Sequence, residues 1–414
     1  MRKLKVIANE DPLTPETFLV SHLCAVNEPF LPRLKSFECN SVTEAIIPFI
    51  SLFLSPTTTE ITIAFDEDLS TAAVALIITM LPTLCPKLED ITIRKIKRDP
   101  VITDAVSRMV LTCNPDSLQV FQVDSPLTEE AREVVYRLPK LSKLWTVIEG
   151  HTMLPQLALP NLTDVDIEYD DHLDWLQEFH GAALENLQSI TFHCESEQIG
   201  DFLGAFERFA LATSAQNTLL EFGFYTSRSW NPNYSSLLPF QQLKAIEIEF
   251  SCDDGCSSRV DDNTIIDLAQ SMPKLEVLQL GGTPCTTSTG ATVHGLIALA
   301  FRCLRLSELR IHFRGDSLVD AVASAAITLP LTDEPVVLRE ECALTNLEVG
   351  WISIPAQSAT KVALMLLRIF PRILDVKYAN PGWEGVVENI KDYRRICAFV
   401  RHAGMVHSET FNNT

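Results

Sequence analysis

One phrase of hydrophobic and polar positions, apolar-x-x-apolar-x-apolar, recurs along almost the whole chain and is often introduced by proline. Leu88, Ile91 and Ile93 carry it in Pro86-Lys-Leu-Glu-Asp-Ile-Thr-Ile93. Leu162, Val165 and Ile167 repeat it, and so do Leu275, Leu278 and Leu280. The same frame fits at Leu34, Leu118, Leu141, Leu187, Leu219, Leu243, Leu306, Leu344 and Ile373, with a weaker copy at Thr58 and a possible first one at Met1, Leu4 and Val6. From Leu34 to Ile373 the phrases follow one another at steps of 21 to 38 residues, about 28 on average. The last two apolar positions alternate with polar ones, the signature of a strand buried on one side.

Helical stretches lie between the phrases. Ser41-Val-Thr-Glu44 reads as a capping box ahead of an apolar run, and Thr14-Pro15-Glu16 reads as an N-cap with proline at the first helical position. Residues 71–84, 127–137, 171–182, 262–271, 292–303 and 358–370 also predict helices, the first of them, the longest apolar run and too short to span a bilayer, a buried one. The short step from Leu141 to Leu162 leaves no room for a full helix, so an irregular outer layer is expected there. One strand and one helix of this size cannot bury their apolar faces alone, and stacked neighbours can. Steps in this range belong to leucine-rich repeats. The expected fold is therefore an α/β leucine-rich-repeat solenoid of the ribonuclease-inhibitor-like kind, a horseshoe with parallel strands in one sheet on the concave face and helices on the convex face. It spans residues 1–380, and residues 381–414 form a capping helix and tail. The chain is expected to begin inside a repeat, leaving its first strand uncapped.

The phrases Leu159-Pro-Asn-Leu-Thr-Asp-Val-Asp-Ile167, Met272-Pro-Lys-Leu-Glu-Val-Leu-Gln-Leu280 and Leu237-Leu-Pro-Phe-Gln-Gln-Leu-Lys-Ala-Ile-Glu-Ile-Glu-Phe250 resemble the leucine-rich-repeat region of fungal, especially basidiomycete, F-box proteins. The resemblance covers roughly residues 30–380. It implies the substrate-binding part of a ubiquitin-ligase adaptor, which reaches a cullin through an F-box docked on the Skp adaptor. Residues 1–33 lack the Leu-Pro-x-Glu-like phrase of that module, so the F-box itself is expected to be missing. The alternative is an F-box-independent scaffold or inhibitor, and a hydrolase is the remote one.

The formal net charge of −21 argues against nucleic acid and anionic membranes and favours a protein partner with a basic segment. Eleven cysteines without a framework, and no signal-peptide pattern at the start, point to a reducing compartment, cytoplasmic or nuclear. Asn161-Leu-Thr163 and Asn233-Tyr-Ser235 match the glycosylation pattern but would stay unmodified there.

No cofactor, metal or catalytic set is expected. Gly315-Asp-Ser-Leu318 spells an esterase signature and Arg314-Gly-Asp316 an integrin one, yet both fall in an inter-repeat segment. Cys252-Asp-Asp-Gly-Cys256 lacks the two further ligands zinc needs. Asp170-Asp-His172-Leu-Asp174 reads as the acidic start of a helix. The phrase frame instead assigns the polar strand positions to the concave face. Trp145 and Tyr225 are candidate binding aromatics there. The acidic stripe Asp164, Asp166 and Glu168 lies between them, with His193 alongside and Glu247 and Glu249 further on. Arg94, Val147, Arg310 and His312 share that face.

Overall fold

The computed structural model describes residues 3–6, 31–44, 46–148, 159–169, 184–195, 199–251, 260–281, 290–311, 342–349, 354–378 and 381–411. It divides into two compact units, Met1–Leu219 and Leu220–Thr414. The first unit holds β1 (Lys3–Val6), β2 (Ser36–Val42), β3 (Glu60–Phe65), β4 (Asp90–Arg94), β5 (Val120–Pro126), β6 (Lys143–Ile148), β7 (Asp164–Tyr169) and β8 (Ser189–Cys194). Its helices are α1 (Ile47–Phe53), α2 (Thr71–Leu84), α3 (Pro100–Thr112), α4 (Glu129–Val135) and α5 (Phe202–Thr213). The second holds β9 (Glu221–Thr226), β10 (Ala245–Phe250), β11 (Val277–Leu280), β12 (Glu308–Ile311), β13 (Asn346–Val349) and β14 (Asp375–Tyr378). With them run α6 (Asp262–Ser271), α7 (Val293–Arg302), α8 (Ala359–Ile369) and α9 (Glu384–Phe411).

Within each unit the strands follow chain order and pair parallel, in the register of the sequence phrase. The opening residue of every phrase is buried, from Leu34 to Ile373. The weak copy obeys the rule by other means: Thr58 is wholly buried, and its hydroxyl donates to the Leu34 carbonyl at 3.3 Å. Inward strand residues such as Phe37, Ile61, Ile91, Phe121, Phe192, Phe224 and Ile246 are buried. Phe192 of β8 lies edge-on to Phe202 and Phe206 of α5, with ring centroids 4.9 and 5.8 Å away. Each unit is thus an α/β leucine-rich-repeat array, parallel strands in one layer and helices packed on one side of them.

Hydroxyl and amide side chains at the phrase starts tie each repeat to the one before. Ser117 donates to the Leu88 carbonyl at 2.7 Å, Ser142 to Gln119 at 3.0 Å, Thr163 to Ser142 at 3.0 Å and Ser307 to Glu276 at 3.0 Å. The Asn161 amide, in one of the two glycosylation patterns, donates to the Pro139 carbonyl at 2.6 Å and is part of this ladder.

Helices start where capping chemistry sits. Ser70, Asp99, Thr128, Asp201, Asp261 and Thr292 each accept a backbone N–H from the first turn of the helix that follows. Ser41 does not. Pairing of β2 with β3 continues to Val42 opposite Phe65, which draws Ser41 into the strand. Helix α1 then begins at Ile47 without a side-chain cap, and the Thr43 carbonyl accepts from Ile46 and Ile47 instead. The uncharged helix α2 is not buried all round: Val74, Ile77, Ile78 and Leu81 face the core while Leu76 is 56% exposed. A helix in an outer layer has only one side to pack. At the C-terminal side, Trp383, Val386 and Ile390 are buried and α9 packs on α8. The segment 14–16, the helix expected over 171–182 and residues 149–158 of the 141–162 step lie outside the described residues.

The second unit has a staple between successive helices. Asp262, the first residue of α6, accepts the backbone N–H groups of Thr292 and Gly295 at 2.7 and 3.1 Å, and the Thr292 hydroxyl at 2.5 Å. A β-carbon on Gly295 would stand 2.9 Å from the same carboxylate. Asp262→Ala should therefore lower unfolding stability by about 2 kcal/mol, the scale for losing charge-assisted bonds, in urea titration. In the first unit the Thr146 hydroxyl is buried with no partner among the described residues. Thr146→Val, of matching shape, should raise stability by about 1 kcal/mol in the same titration, since an unpaired buried hydroxyl is costly.

Candidate protein-binding face

In the first unit the strand register sets the outward side chains into rows. Lys143, Asp164 and Ser189 form one row, Trp145, Asp166 and Thr191 the next, and Glu168 and His193 stand side by side beyond them. The structure therefore brings five of the predicted residues together on β6, β7 and β8. Val147, expected outward in the last of these rows, is instead buried. Pairing of β5 with β6 shifts between Gln122 and Pro126, so that Pro126 faces Val147 and the alternation along β6 breaks after Trp145.

The acidic stripe is not bare. Lys143 lies 3.5 Å from Asp164, and His193 Nε2 lies 3.2 Å from Asp166 Oδ1. Glu168 of β7 is paired with Arg98, which comes from the turn after β4, three strands away. Arg94, the last residue of β4, lies over the Trp145 ring, its guanidinium carbon 5.1 Å from the ring centroid. Lys95 between them has a left-handed backbone, φ 57°, and its N–H donates to Asp124 Oδ2 of β5 at 2.8 Å. A non-glycine residue in that region carries strain, which the Asp124 contact offsets. Burial pushes the Asp124 carboxyl up, against the Lys95 bond and the charges of Arg94 and Arg98. For His193, burial of the ring disfavours the imidazolium, but the bond to Asp166 and the charges of Asp166 and Glu168 outweigh it and raise the imidazole above its ordinary value.

These contacts escape the repeat frame, which places Arg94 on the face but says nothing of Arg98. The available signal was composition. Arg94-Lys-Ile-Lys-Arg98 puts four cations into five positions of a chain whose net charge is −21.

In the second unit Tyr225 of β9 stands in register with Glu249 of β10, and its hydroxyl donates to Glu247 Oε2 at 2.5 Å. Arg310 of β12 lies between two carboxylates, 3.5 Å from Glu249 and 3.1 Å from Glu348. The three predicted residues of this unit thus share one patch with a cation that joins Glu249 to β13. His312 lies outside the described residues, as do Gly315–Leu318, Arg314–Asp316, Cys252–Cys256 and Asp170–Asp174.

Five of the seven described free cysteines are buried. Burial pushes the Cys85 thiol up to about 11 and those of Cys113 and Cys303 up to about 12, which keeps them protonated and unreactive. Among the described residues no group of three His, Cys, Asp or Glu side chains is placed to hold a metal ion, and no helix is long and apolar enough to cross a membrane.

No family model matches the chain, and no curated protein matches it. Among solved structures, a Bacteroides fragilis protein aligns over 61% of this chain and 77% of its own, at 13% identity and a TM-score of 0.37. A Leptospira interrogans LRR protein aligns over 91% and 90%, at 11% identity and a TM-score of 0.34. Superpositions this loose say nothing of activity; the repeat class rests on this chain's own strand register and buried phrases.

The His193 pair has a defined pH signature. A group whose folded value is raised stabilises the fold fully below its unfolded value, here 6.5, and loses that contribution as pH rises through its higher folded value. Titration of the His193 ring protons by NMR should give a midpoint above 6.5. In Asp166→Asn the midpoint should fall, because the bond and the nearer charge go together. An unmoved midpoint would show that Asp166 does not hold the ring.

Proposed function

We propose that the protein is a non-catalytic recognition module that binds another protein through the outward side of its strands. One observation carries this reading: in both units that side is lined by charged side chains around a half-buried aromatic, Trp145 in one and Tyr225 in the other, with the helices packed on the opposite side. Half-buried tryptophan and tyrosine on a polar face are the residues from which interface hot spots are made. The net charge and the residues Glu247 and Glu249 favour a partner with a basic segment.

The finer reading is that the partner is the substrate of a ubiquitin ligase and that the chain is the substrate-binding part of an F-box-type adaptor. It is supported by the likeness of the repeat phrases alone. Association with a Skp-type adaptor, tested by co-purification of the protein from its native cells, separates it from a scaffold or inhibitor role.

Affinity capture with mass spectrometry, run on the parent, Trp145→Ala and Tyr225→Ala, tests the recognition reading. At least one aromatic variant should lose a captured partner, by about 2 kcal/mol or roughly thirty-fold in affinity if the residue is a hot spot. Leu76→Asp, on the outer side of α2, should retain it. Loss with Leu76→Asp and retention with both aromatic variants would place binding on the helices and overturn the reading.

A further inference from the structure

The turn that follows β4 behaves like a ligand of the surface it crosses. Two arginines, Arg94 at the end of β4 and Arg98 in the turn, arrive from outside β6–β8 and satisfy that surface by two different contacts. Arg94 lies over the Trp145 ring, and Arg98 pairs with the Glu168 carboxylate. A guanidinium does both well, because it is planar, weakly hydrated and forked, whereas an ammonium is a compact hydrated point charge. The contacts are shallow: the Arg98 and Glu168 side chains keep 34% and 23% of their exposure, and Arg94 is exposed. Exposed ion pairs are weak and exchange readily. The turn bends at Lys95, whose left-handed backbone N–H donates to Asp124, and Ile96 beside it is buried.

Resting on the recognition reading above, we infer that Trp145 and Glu168 form an arginine-recognition surface, covered in cis by Arg94 and Arg98, and that the partner's basic segment binds there by displacing them with its own arginines. The partner is thereby narrowed from any basic protein to one whose segment offers two arginines at a spacing near that of residues 94 and 98. The cis arginines also set a threshold, since a segment that binds no better than the chain's own turn is excluded.

The probe is the turn's own sequence as a capped peptide, Arg-Lys-Ile-Lys-Arg, with an all-lysine version beside it, and binding is measured by calorimetry on the full chain. Arg94→Ala combined with Arg98→Ala uncovers the surface and should bind the arginine peptide at least ten-fold more tightly than the parent does. The lysine peptide should bind that variant at least ten-fold more weakly. Adding Trp145→Ala or Glu168→Gln to the uncovered variant should remove the gain. If the double variant does not fold, Arg98→Gln alone, which keeps most of the side-chain length, is read in the same way. No gain over the parent in a folded uncovered variant, or equal binding of the two peptides, overturns the inference. If the peptide fails while Trp145→Ala still strips the captured partner, the arginine surface falls and the recognition reading stands. If Trp145→Ala and Tyr225→Ala both leave capture intact, the recognition reading falls as well.

Discussion

The leucine that opens each phrase is the contact on which the rest of each unit depends. It sits just ahead of a strand and beneath the sheet, at or near zero exposure, and where Thr58 or Ile373 replaces it the position is buried as well. Burying a leucine side chain contributes about 2 kcal/mol, and cutting one back to alanine in a packed core costs about 2–5 kcal/mol. The interaction is not confined to its own repeat. The two following apolar residues lie in register with their counterparts on the adjacent strands, as Ile61, Ile91 and Phe121 do, so a displaced phrase would shift a whole row. A one-residue slip would bring Glu60 or Thr62 to the inner side, which register in a half-buried sheet forbids.

That constraint leaves the other side of the strands free for chemistry. Inner positions are fixed as apolar by burial, and the helices occupy that side. Outer positions face no core and can hold almost anything that tolerates a strand. On β6–β8 and on β9–β13 they hold charges of both signs and an aromatic. The consequence is electrostatic as well as steric. Carboxylates on neighbouring strands stand about 4.8 Å apart along a row, close enough to repel unless cations interleave. Where they do not, as at Glu60 beside Asp90, partial burial and the charges of Glu60 and Glu89 raise the Asp90 carboxyl. Where they do, as with Lys143, His193, Arg98 and Arg310, the acidic residues are held in pairs.

The strands were legible in the sequence because their cause is local. Two apolar residues one position apart, three and five positions after a buried leucine, specify both where a strand lies and which side faces in. Helix starts were legible wherever an acidic or hydroxyl residue preceded an apolar stretch, as at Asp261 and Thr292. Ser41 misled because strand pairing outweighed its capping chemistry: two more residues of sheet gained more than one side-chain cap would have. The charge-free run of α2 misled for a related reason, since apolar composition says that a helix can be buried, not that neighbours exist on every side. Val147 was misassigned because the shift in pairing near Pro126 is a property of two strands together, and the alternation of β6 alone does not contain it.

The candidate site was legible only in part, and the missing part changes its meaning. Reading Asp164, Asp166 and Glu168 as an open acidic stripe follows from the phrase, because the phrase places side chains and not their partners. What closes the stripe is a turn seventy residues earlier, carried across β5 and β6 by the bend at Lys95. Nothing in the alternation of β4 encodes that bend, since it is stabilised by Asp124 on a different strand. Yet the four cations clustered at residues 94–98 of an acidic chain do carry the information in another form. Opposite charges within one folded unit find each other when a turn can span the gap, and a basic turn three strands from an acidic strand can. The chemistry of the face is thus selected twice, once by the repeat that points carboxylates and an indole outward, and again by the chain's own arginines, which show what those groups accept.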